Sequence, residues 1–132
     1  MSMKVIIADC DWRFAQDAVR FLESHAHLVV QLHSGEEVVE ATRHWRPDLV
    51  VIAEELAETG ILEQIQSFVP RPAVLLVGWA DRCSNVWQAW QRGGDELLMK
   101  PVFHSGELHD AIVTAMKNAA AGSRPNPLAV PA

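Results

Sequence analysis

The stretch Arg46-Pro47-Asp48-Leu49-Val50-Val51-Ile52-Ala53-Glu54-Glu55 decides the fold. Its centre, Leu49 to Ile52, is an unbroken apolar run rich in β-branched residues, entered past a proline and left through two glutamates. A strand with one face in water alternates apolar and polar residues. A strand that is apolar throughout is covered on both faces, as in a parallel sheet flanked by helices. Working outward, Val5-Ile6-Ile7-Ala8 and Ala73-Val74-Leu75-Leu76-Val77 repeat the pattern, and Leu28-Val29-Val30-Gln31-Leu32 and Glu96-Leu97-Leu98-Met99 add two more strands.

Between these runs the apolar residues take helical spacing. Phe14, Ala18, Phe21 and Leu22 follow the first strand. Ser34-Gly35-Glu36-Glu37 has the form of a capping box before Val38, Ala41, Thr42 and Trp45. Ile61, Leu62, Ile65 and Phe68 form the third stripe, Val86, Ala89 and Trp90 the fourth, and Leu108, Ile112, Ala115 and Ala119 the fifth. Pro47 closes the second helix, and Pro70 and Pro72 mark the turn into the fourth strand. Five strand–helix pairs joined by right-handed crossovers predict an α/β fold, a doubly wound five-stranded parallel sheet. Residues 1–120 are read as one domain. Residues 121–132, which hold three of the seven prolines, are read as a disordered tail or the start of a linker.

Composition narrows the function classes. The 132 residues are 49% hydrophobic and 21% charged, enough for one ordinary core. A net charge of −6, from 17 acidic and 11 basic residues, argues against nucleic-acid binding by phosphate neutralisation. No apolar run approaches the ~20 residues that span a bilayer, so no membrane role is expected. Cys10 and Cys83, with no export signal ahead of them, are read as reduced thiols of a cytoplasmic protein.

Open α/β sheets bind ligands at the carboxyl ends of their strands. Those positions hold Asp9-Cys10-Asp11, Ala53-Glu54-Glu55, Val77-Gly78-Trp79 and Lys100-Pro101. Neither a GxGxxG turn after the first strand nor a GxxxxGK[ST] loop is present. Over residues 4–118 the chain resembles the receiver domain of two-component response regulators. The resemblance is carried by Ala8-Asp9-Cys10-Asp11, by Arg46 to Ile52, and by Gly93-Gly94-Asp95-Glu96-Leu97-Leu98-Met99-Lys100-Pro101, which is similar to the family's GADDYxxKP segment. It implies a flavodoxin-like (βα)5 sheet with strand order 2-1-3-4-5.

The family is a phosphorylation switch. Two acidic residues after the first strand and an aspartate after the third hold Mg²⁺, and that aspartate takes a phosphoryl group from a histidine kinase. A Thr or Ser after the fourth strand and a Lys after the fifth contact the phosphoryl oxygens, while an aromatic residue on the fifth strand reports the change. Matched by position, Asp9 keeps the first acidic place, but Cys10 stands at the second, Ala53 at the phosphoacceptor, Val77 at the hydroxyl and Leu97 at the aromatic. Lys100 keeps its type, and the resemblance implies a cis bond to Pro101.

Alanine has no oxygen to phosphorylate, valine cannot hydrogen-bond a phosphoryl group, and Mg²⁺ demands hard oxygen ligands. The expectation is therefore a degenerate receiver that is not an enzyme, needs no cofactor and binds Mg²⁺ weakly or not at all. It would act as an interaction module for a signalling partner or output domain. A homodimer through the fourth helix, fifth strand and fifth helix is the family's usual alternative. Trp87, off the inward stripe, and Leu97 are the candidate interface residues.

A second reading places the switch on another group. One version uses redox chemistry at Cys10, which precedes a helix and which the resemblance places near Lys100. Its plain counterpart is a small side chain buried in the old ligand place. The other version uses a displaced acidic cluster of Asp9, Asp11, Glu54 and Glu55. Sliding Glu54 into the acceptor place would turn the strand's apolar set outward, and Asp48 lies some 16 Å from the carboxyl end. Asp11 is read as a helix cap, the six histidines as solvated, and Trp12 or Trp79 as leaning over the pocket. Gly93-Gly94-Asp95-Glu96-Leu97 is close to the GGDEF signature of diguanylate cyclases. The Leu98-Met99-Lys100-Pro101 that follows makes this a chance match.

Overall fold

The computed structural model describes residues 2–122. In chain order the elements are β1 (Lys4–Ala8), α1 (Trp12–Ser24), β2 (Leu28–Leu32), α2 (Gly35–Trp45), β3 (Leu49–Ala53), α3 (Ile61–Gln66), β4 (Ala73–Trp79), α4 (Cys83–Arg92), β5 (Glu96–Lys100) and α5 (Ser105–Ala121). Short 3₁₀ turns, Glu54–Leu56 and Ala80–Arg82, follow β3 and β4. The strands form one parallel sheet in the order β2-β1-β3-β4-β5, as expected. Apart from Ala121 and Gly122, which close α5, the expected tail lies outside the described residues.

The apolar runs behave as their patterning demands. All of β3 is buried, and so is β1 beyond Lys4 and β4 up to Gly78. β2, at the sheet's edge, is half open. Alternation divides each run between two cores. Val5, Ile7, Leu49, Val51 and Leu75 pack on α1 and α5 through Phe14, Leu22, Leu108 and Ile112. Ile6, Val50, Ile52, Val74 and Leu76 pack on α2, α3 and α4 through Val38, Leu62, Ile65, Val86 and Trp90.

Helix starts follow the cap residues. Asp11 accepts the Phe14 N–H, and Ser34 accepts the Glu37 N–H; the Glu37 carboxylate reaches one residue past the cap, to the His33 N–H, so only the Ser34 half of the expected capping box forms. Some stripes shift by one position. Ala15 and Val39 are buried where Phe21 and Trp45 are only partly so, and α3 ends before Phe68. A helix lying on a twisted sheet buries a stripe wider than its central row, so flanking small residues enter. Lys100–Pro101 is cis, as the resemblance implies, and Val69–Pro70 is cis as well.

One buried knot escaped the sequence reading. Asp95, fully buried ahead of β5, accepts two N–H groups from Arg71 at 2.9 and 3.0 Å and the Val74 backbone N–H at 2.8 Å. Its carbonyl accepts from the Asn118 side chain, so one residue ties the start of β4 to β5 and α5. Breaking a buried pair from one side costs roughly 3–5 kcal/mol, against less than about 1 for an exposed one. Asp95→Ala is therefore expected to lower urea stability by that larger amount, while Arg43→Ala, in the exposed pair with Glu40, barely changes it. Equal losses in the two variants would contradict this assignment.

Candidate functional site at the carboxyl edge of the sheet

The parallel register brings the ends of β1, β3 and β4 side by side. Ala8 stands opposite Ile52, Ala53 opposite Val77, and Trp79 opposite Lys100. The edge is therefore built from the residues singled out in the sequence, but their chemistry differs from end to end.

At its centre are two side chains, each 2% exposed: Asp9 and Lys100. The Lys100 ammonium donates to Asp9 Oδ2 at 2.9 Å and to Asp11 Oδ2 at 3.4 Å. Asp9 Oδ1 accepts the Asp11 backbone N–H at 2.9 Å. The rings of Trp79 and Phe14 stand 4.7 and 5.3 Å from the ammonium, so the charge is held between two carboxylates and two π-faces. Burial pushes the Asp9 carboxyl above the usual carboxylate range, and the hydrogen bonds from Lys100 and from the Asp11 N–H hold it partly down.

The neighbouring positions carry no polar group. Ala53 and Val77 are completely enclosed and present only methyl groups. Gly78 allows α4 to press close to β4, since a Cβ there would collide with Val86. The Glu54 carboxylate accepts from Arg82 Nε at 2.6 Å, joining the turn after β3 to the turn after β4. Glu55 is exposed.

Several expectations need correction. The four carboxylates Asp9, Asp11, Glu54 and Glu55 do not assemble, because Lys100 draws two of them and Arg82 a third. Cys10 is exposed and does not fill the old ligand place: it lies in the turn between β1, which ends at Ala8, and α1, where Asp9 is the residue that is buried. The Lys100 ammonium is engaged by Asp9 and Asp11, leaving no direct partner for a Cys10 thiolate among its hydrogen bonds. Trp79 does lean on the pocket, but Trp12, opening α1 with 62% of its surface exposed, does not seal it. His27 is half-buried and its Nδ1 accepts the Met3 N–H, unlike the other, exposed histidines. Trp87 is exposed, whereas Leu97 is half-buried against the α2–α4 core.

The donor set does not fit Mg²⁺. It comprises two carboxylates, Asp9 and Asp11, both already on the Lys100 ammonium, with an exposed thiol and a methyl group where further oxygens would be needed. Among the described residues, no group of three or more His, Cys, Asp or Glu side chains could hold a metal.

The buried pair makes a pH-dependent prediction. A carboxyl whose folded pKa is raised binds protons in the fold that it has released when unfolded, so between its unfolded value of about 3.9 and its folded value, stability falls as pH rises. Lys100→Met removes the group that holds the Asp9 pKa down and widens that window. The variant should be roughly 3–5 kcal/mol less stable than the parent at pH 7. The deficit should shrink at pH 5, where Asp9 more readily takes up a proton. Urea unfolding at the two pH values measures both; a deficit independent of pH would contradict the assignment.

No family model matches the chain. It is 31% identical over 93 residues to protein-glutamate methylesterase/protein-glutamine glutaminase 3 of Paramagnetospirillum magneticum (strain ATCC 700264 / AMB-1), a match covering 68% of this chain and 26% of that protein. The chain thus spans about a quarter of the length of this curated relative. Among solved structures, NtrX from Brucella abortus in complex with ADP superposes with a TM-score of 0.79 at 17% identity, over 92% of this chain and 28% of that one. A response regulator receiver domain protein from Clostridium thermocellum superposes with a TM-score of 0.71 at 24% identity, over 89% of this chain and 97% of its own. With a near-complete receiver domain overlaid on five parallel strands in the order 2-1-3-4-5, the chain has the fold of a response-regulator receiver domain.

Proposed function

We propose that this domain serves two-component-type signal transduction as a receiver that is not phosphorylated by the aspartyl route, acting instead as a non-enzymatic protein-interaction module. The observation that carries the reading is the pairing of Lys100. In the family that lysine is expected to meet a phosphoryl oxygen; here its ammonium is held 2.9 Å from Asp9, beside an alanine where the acceptor would stand. Ala53 offers no nucleophile, Val77 offers no hydroxyl, and the Asp9 carboxylate that would help hold Mg²⁺ is already neutralised. The switch thus rests in one internally satisfied arrangement.

The proposed partner is a signalling protein or an output domain, engaged at the face made by α4, β5 and α5. That face also offers a homodimer contact. Trp87 projects from α4 with 41% of its surface exposed, and tryptophan is enriched among the residues that carry binding energy at interfaces. Leu97, half-buried on β5, would contribute an apolar edge and no mobile ring. The net charge of −6 favours a protein partner over nucleic acid.

Intact-mass spectrometry after incubation with acetyl phosphate and millimolar Mg²⁺ tests the proposal. The parent chain should remain at its starting mass. The double variant Cys10→Asp/Ala53→Asp, which restores two carboxylates at the sheet edge, checks that the reagents are active. A stable phosphoryl adduct on the parent chain would overturn the proposal.

A further inference from the structure

Beside the Lys100 pocket, between α1 and the loop joining β5 to α5, lies a cleft of about 650 Å³. That size falls within the roughly 300–1,000 Å³ typical of small-molecule sites. Six large apolar side chains are strongly exposed on the described surface, and three of them, Trp12, Trp79 and Phe103, line this one cleft. Each sits on fixed backbone. Trp12 follows the Asp11 cap, Trp79 is paired in the sheet with Lys100, and the Phe103 N–H donates to Glu107 at 2.7 Å. Phe103 is 81% exposed, and nothing in the fold of the domain requires an aromatic ring there.

The charges around the cleft cancel. Arg13 and Lys100 stand against Asp11 and Asp17, with Lys100 and Asp11 already in contact. A phosphate or other multiply charged ligand would find no net attraction, whereas an aromatic ring would bury indole and phenyl surface now facing water. We propose that this cleft binds a small, uncharged, planar aromatic compound, held by Trp12, Trp79 and Phe103. Lys100 and Asp11 line the site, and the Trp79 ring lies against the Lys100 ammonium. Occupancy would therefore contact Lys100, the residue that pairs with Asp9, without any phosphoryl group. What such binding would signal rests on the function proposed above; the binding itself does not.

The test is NMR titration of the ¹⁵N-labelled chain with 2-naphthol, using cyclohexanol and 2-naphthyl phosphate as comparisons. 2-Naphthol should bind saturably and shift the indole N–H signals of Trp12 and Trp79, leaving that of Trp87 unmoved. Trp12→Ala/Phe103→Ala, which removes two exposed rings and should leave the unfolding midpoint unchanged, should weaken binding at least tenfold. Trp12→Phe, which keeps a ring, should recover most of the affinity. Absence of saturation, equal affinity in the double variant, or tighter binding of cyclohexanol or the phosphate ester would each overturn the proposal.

Discussion

The contact on which the carboxyl edge depends is the hydrogen bond between the Lys100 ammonium and the Asp9 carboxylate, 2.9 Å long and almost wholly out of water. Two charges moved from water into the interior lose several kcal/mol of hydration each, and their attraction repays this only with good geometry and further hydrogen bonds. Both are supplied here. Asp9 takes the Asp11 N–H on its second oxygen, and Lys100 takes Asp11 and the two ring faces. Each charge therefore requires the other, and neither is free for an outside ligand without breaking the set.

The rest of the edge is consistent with that closure. Methyl groups at Ala53 and Val77 continue the apolar core to the ends of the strands, where open sheets of this kind usually carry reactive groups. Glu54 and Arg82 join the turns after β3 and β4. On the function proposed above, a response would enter through a face, the exposed Trp87 of α4 or the aromatic cleft beside α1.

Much of this was legible in the chain. Strand order, crossovers and burial follow from continuous apolar runs spaced by amphipathic helices, because period and length separate buried strands from helices. The identity of residues 9, 53, 77 and 100 was readable once the register was known, since adjacent parallel strands carry them to one edge. Side-chain direction was not. Cys10 faces out in the turn that follows β1, after Ala8, and Glu54 pairs with Arg82, 28 residues away, a pairing that no local pattern announces. Arg71 and Asp95 were missed for the same reason: the two lie 24 positions apart and meet only when β4 and β5 are built. The cleft was equally invisible, since Trp12, Trp79 and Phe103 come from three separate elements.

The claim that Asp9 belongs to Lys100 and not to a cation is tested most directly by carboxyl ¹³C NMR titration of Asp9, with and without millimolar Mg²⁺. The account predicts a midpoint above the ordinary aspartate value of about 3.9, unchanged by Mg²⁺. A midpoint at or below that value, or one that Mg²⁺ drives downward, would contradict it.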